Sequence, residues 1–126
     1  MSNKKQNHFH NFMELDSKKQ SLKAKKIAVE SYMIRYKKSK LRLSSFEGLS
    51  SFSPNVIREK EQLISYVDFI DKVILALSEP SKEYFINVFL IDSDTYNDKW
   101  WERKYSKVKY AKVRNYALDE FLMYVE

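Results

Sequence analysis

The chain has 126 residues, 44% of them hydrophobic, enough for one modest core and too few for two domains of ordinary size. One glycine, two prolines and no cysteine exclude glycine-rich phosphate loops, disulfides and thiolate zinc sites, and leave little of the turn chemistry that β-hairpins need. The formal charge of +6 is unevenly spread: residues 1–43 carry 12 Lys/Arg against 3 acids, residues 44–98 carry 4 against 10, and residues 99–126 carry 7 against 4.

These bounds point to an all-α chain with basic ends and an acidic middle. Clustered charge is what a phosphate backbone feels, although a solvated lysine-rich surface is the competing explanation. The longest apolar runs, Val73 to Leu77 and Val88 to Ile91, fall well short of the ~20 residues of a membrane helix. The start, MSNKKQNHFHNF, is not followed by the apolar segment of a secretory signal. The expectation is a soluble cytoplasmic protein with no membrane partner.

Residues 1–16 have no helical period and read as a disordered tail. His8 and His10 lie there without the further ligands a metal site needs. Residues 17–126 read as a single helical domain, with a helical hairpin over 17–77 and a helix-turn-helix part over 78–126. Ser17 and Gln20 have capping-box spacing, which predicts a long first helix starting at Ser17. Ile27, Ile34 and Leu41 recur every seven residues, with Leu22, Val29, Met33 and Tyr36 widening the band. Lysine and arginine dominate the rest, among them Lys23, Lys25, Lys26, Lys37 and Lys38. Such a helix can lie on an anionic membrane, but seven-residue spacing suits a partner helix and no tryptophan marks an interface.

Leu43 to Ser53 holds five serines and the glycine and reads as a connector. Ser53-Pro54 then predicts the cap and first turn of a second long helix. Its seam is Val56, Leu63, Ile70 and Leu77 with Val67 and Ile74, packing on the first helix or on a second copy; the hairpin is the simpler option. Glu59, Glu61, Asp68 and Asp71 are placed to neutralise part of the first helix's charge. Ser78 and Pro80 predict a short third helix bearing Tyr84, Phe85, Val88 and Phe89.

After a polar stretch the spacing predicts a short helix ending at Trp100-Trp101, an interruption at Tyr105-Ser106, and a final helix with Val108, Ala111, Leu118, Phe121, Leu122 and Val125 at helical spacing. Lys107, Lys109, Lys112 and Arg114 crowd the first two turns of that helix. They form a basic end of the kind that enters a DNA major groove.

From about Val73 the order of features resembles region 4 of bacterial sigma factors and, more closely, phage late-transcription regulators of the ArpU/RinA type. The matching features are Leu77-Ser78-Glu79-Pro80, a short helix, an acidic loop, and Lys104-Tyr105-Ser106 before Tyr110, Arg114, Ala117-Leu118 and Phe121. The Lys-, Tyr- and Phe-rich composition is also similar to a small family of uncharacterised mollicute proteins with the same tyrosine-serine ending. The resemblance implies a DNA-binding transcriptional regulator with Lys107, Lys109, Tyr110 and Arg114 on the exposed side of a recognition helix. The chain departs from the pattern where Lys104 or Tyr105 replaces the turn glycine and Trp100 or Trp101 replaces a small residue. That departure motivates a second reading, a non-enzymatic adaptor that docks on RNA polymerase or a sigma factor through Trp100 and Trp101.

Catalysis finds no support. No histidine lies outside the tail, so neither a triad nor a metallohydrolase site can be assembled. Ser106 and Lys109 match Ser-x-x-Lys by letter, without its companion motifs. The expectation is a non-enzyme with no cofactor and no metal, of undetermined oligomeric state, whose partner is double-stranded DNA. Within the final helix, Lys109 and Arg114 lie about 140° apart and cannot share the centre of one face. Lys109 is placed for base edges, and Arg114 for a flanking phosphate or an internal acid such as Glu102.

Overall fold

A computed structural model describes residues 21–46, 53–91 and 97–126, which are helical with intervening turns. The tail, the Ser17 capping box and much of the two polar connectors lie outside the described residues.

Helix α1 spans Leu22–Ser44 and starts where the Ser21 hydroxyl accepts the Ala24 N–H at 3.0 Å. It ends in serines: Ser44 and Ser45 donate to the carbonyls of Leu41 and Arg42 at 2.7 and 2.6 Å, satisfying acceptors the helix has no further N–H to meet. Helix α2, Pro54–Ala76, is capped by Ser53, which accepts the Val56 N–H at 3.3 Å, and has proline in its first turn as the sequence predicts.

The two helices form an antiparallel hairpin. Arg42 at the end of α1 bonds Glu59 near the start of α2, and the Tyr66 hydroxyl donates to the Tyr32 carbonyl halfway along. Asp71 accepts from the Tyr36 hydroxyl. The acids of α2 therefore meet α1 at Glu59 and Asp71, whereas Asp68 pairs within its own helix with Lys72.

Helix α3, Glu79–Phe85, runs into a π-helical turn, Ile86–Leu90, closed by the Ile91 N–H on the Ile86 carbonyl at 3.0 Å. Helix α4, Lys107–Val125, packs across α3 and the hairpin. It buries Val113, Ala117, Leu118, Phe121 and Leu122, the 3.6-residue pattern of one helix face. Phe121 and Phe85, both fully buried, stack at 4.8 Å between ring centroids, and Tyr32 meets Phe121 edge-on at 5.8 Å. One cluster, running from Val29 and Met33 through Ile70 and Ile74 to Phe85 and Phe121, joins all four helices.

Three expectations change. Ile27, Ile34 and Leu41 are 55%, 54% and 72% exposed, and the face of α1 that packs is Val29, Met33 and Tyr36. Seven-residue spacing identifies a stripe but not the side it faces, and α1 carries two stripes; Val29 sits about 160° around the helix from Ile27. Val108, expected on the packed face of α4, is 69% exposed, and Val113 takes that role. The short helix expected before Trp101 is instead a run of turns over residues 98–104, with N–H groups of Trp100, Glu102 and Lys104 bonding three residues back. Residues 98–104 are thus turns and not the helix expected there.

Candidate nucleic-acid interface

The site begins at Ser106. Its backbone is extended (φ −71°, ψ 167°), and its hydroxyl accepts the Lys109 N–H at 3.1 Å, which starts α4 and fixes its first turn. The Ser-x-x-Lys match is therefore a helix cap.

Helical geometry divides the candidate residues into two groups. Lys107, Lys109 and Lys112 are exposed, and Lys109 and Lys112 share the outer face with Val108 and Tyr116. Tyr110 and Arg114 are half-buried and turn inward. Among the described residues Lys107, Lys109 and Lys112 form no ion pair. Lys25, Arg42, Lys72, Lys82 and Lys104 all do. The start of α4 thus concentrates positive charge that no ion pair among the described residues neutralises.

Tyr110 is not on the exposed side. Its ring stacks on Trp101 at 4.5 Å and 10°, meets Trp100 edge-on at 5.7 Å, and lies 6.3 Å from Tyr84. Arg114 donates to its neighbour Asn115 at 3.2 Å rather than to Glu102. Its side chain lines a recess of about 320 Å³ with Lys26, Glu30 and Tyr84.

The tryptophans are half-buried too. The Trp101 indole N–H donates to the Asp98 carbonyl at 3.1 Å, whereas the buried Trp100 indole N–H has no partner among the described residues. Sequence reasoning missed Glu83, which anchors this segment. Its carboxylate accepts from Lys104 through both oxygens at 3.1 Å and from the Tyr105 hydroxyl at 3.4 Å. The Glu83 hydrogen bond holds the Lys104 ammonium above its ordinary range. No local pattern signals that pairing, because Glu83 and Lys104 are brought together only by the packing of the turns on α3.

The basic surface of α1 is also smaller than the sequence suggests. Lys25 is nearly enclosed, 12% exposed in its side chain, with its ammonium 2.7 Å from Asp119 of α4. Arg42 is held by Glu59, whose hydrogen bond raises the guanidinium's pKa and lowers that of the carboxyl.

Among the described residues no three or more His, Asp or Glu side chains gather as a metal site, and no helix is long and apolar enough to cross a membrane. No protein-family model, no curated protein and no solved structure matches the chain.

Proposed function

We propose that the chain is a non-enzymatic, double-stranded-DNA-binding regulator of transcription that engages DNA with the N-terminal half of α4. The observation that carries the reading is the cluster of Lys107, Lys109 and Lys112 on the first two turns, exposed and without acidic partners among the described residues. Lys109 and Lys112 flank one face with Val108 and Tyr116. On a helix in the major groove, lysine can donate to guanine O6 and N7, and an apolar side chain such as Val108 can meet a thymine methyl. Lys107, more than a quarter-turn away, suits a flanking phosphate. The resemblance to sigma region 4 and ArpU/RinA-type regulators supports the same choice of helix.

Tyr110 and Arg114 act in this account as supports: Tyr110 carries the Trp101 stack that holds the turn against α4, and Arg114 faces α1. The adaptor reading through Trp100 and Trp101 is disfavoured, since both rings pack against Tyr110 and are poorly placed to anchor a partner.

An electrophoretic shift with duplex DNA at two salt concentrations tests the proposal. Neutralisation of several phosphates makes affinity fall steeply with salt. Absence of binding to any duplex at low salt removes it.

A further inference from the structure

The outer face of α1 is exposed, yet it is built like a seam. Ile27, Ile34 and Leu41 are each at least half exposed. At one residue per seven they drift only about 20° per repeat and so form one line, roughly 21 Å long at 1.5 Å per residue. Each borders a recess. Ile27 adjoins one of about 330 Å³ rimmed by Lys23 and Lys26; Ile34 adjoins one of about 480 Å³ shared with Leu63 of α2; Leu41 adjoins one of about 490 Å³ that includes Leu90. The charge beside the line is one-sided. Within α1 there are eight Lys/Arg and a single acid, Glu30, and among the described residues only Lys25 and Arg42 of these are held by carboxylates.

We propose that this face docks an acidic amphipathic helix of a protein partner. Its apolar residues, one every seven, seat beside Ile27, Ile34 and Leu41, and its flanking carboxylates meet the lysines. Helix-in-groove recognition places its anchors at such intervals, and opposite charge at the rim sets partner choice and orientation. A second copy of α1 would bring lysine rims against lysine rims, a like-charge arrangement that costs affinity. An anionic bilayer would need a broad apolar face with aromatic anchors; this line is one residue wide, with Glu30 and Ser31 beside it. The docking face is separate from the lysines of α4, so this inference and the DNA reading stand or fall independently.

The test uses the full chain and a fluorescein-labelled synthetic helical peptide about three heptads long, with leucine once per heptad and glutamate on either side, followed by anisotropy. Saturable binding is expected, weakened about tenfold or more by Ile34→Ser, reduced by salt, and unchanged by Leu75→Ser or Lys109→Ala. The same peptide with lysine in place of glutamate is expected not to bind. Ile34 and Leu75 are both exposed, so the substitutions spare the core, and circular dichroism verifies this. Absence of saturable binding, or equal affinity for Ile34→Ser, overturns the proposal. So does Ile34-dependent self-association in sedimentation, or Ile34-dependent binding to phosphatidylserine vesicles in place of the peptide.

Discussion

The carboxylate of Glu120, on α4, accepts the backbone N–H of Ser78 at 3.0 Å and its hydroxyl at 3.0 Å, so one helix caps another. Ser78 is the N-cap residue of α3, but its own side chain makes no capping bond. Its hydroxyl instead bridges Glu120 and the fully buried Ser81, 3.2 Å away. A negative charge at the positive end of α3 stabilises the helix and docks α4 on it in one contact. Glu120→Gln, which keeps the shape and removes the charge, is expected to cost about 1–2 kcal/mol in urea unfolding. A loss within a few tenths of a kcal/mol would show the contact to be incidental.

Adjacent residues of α1 separate the two stripes. Met33 is 1% exposed and Ile34 is 54% exposed, so Met33→Ala is expected to lose roughly 2–5 kcal/mol and Ile34→Ala no more than about 0.5 kcal/mol. Equal losses in denaturant titrations would mean that the packed face of α1 has been misassigned.

That contrast also marks what the sequence can and cannot reveal. The all-helical class, the Ser53-Pro54 start of α2 and the buried Ile70, Ile74 and Leu77 were legible because caps and apolar spacing are local signals. On α1 the spacing was ambiguous: two stripes satisfy it, and only the fit of Met33 and Tyr36 against α2 and α4 chooses between them. The tryptophan segment defeated local reasoning for a similar reason. Stacking of Trp101 on Tyr110 and the Lys104–Glu83 pair, 21 residues apart, hold it as turns. Of the residues that the resemblance puts on the exposed side, Lys107 and Lys109 are exposed, whereas helical phase turns Tyr110 and Arg114 inward. Lys25–Asp119 and Glu120–Ser78 join distant parts of the chain and leave no trace in spacing.

Tyr36 supplies a pH dependence. It is 4% exposed and its hydroxyl donates to Asp71; burial first, then the Asp71 hydrogen bond and charge, push the phenol from 10.0 up to about 12. The folded state keeps a proton that the unfolded chain releases from about pH 10. The contribution is therefore intact below pH 10 and is lost as pH rises from there towards 12. Relative to Tyr36→Phe, the wild type is expected to lose stability across that window. Parallel pH profiles of unfolding for the two proteins would exclude the assignment.

The central claim is that the exposed lysines of α4 meet DNA, and its most direct measurement is the salt dependence of duplex affinity for the wild type and the Lys109→Ala/Lys112→Ala double variant. Both side chains are exposed and make no ion pair among the described residues, so the double variant is expected to keep its thermal stability. If each lysine neutralises one phosphate or base-edge site, the slope of log K against log salt becomes shallower by about 2 and affinity falls at low salt. An unchanged slope and affinity in the double variant, with binding abolished by Lys23→Glu/Lys26→Glu, would contradict the account and move the nucleic-acid surface to α1.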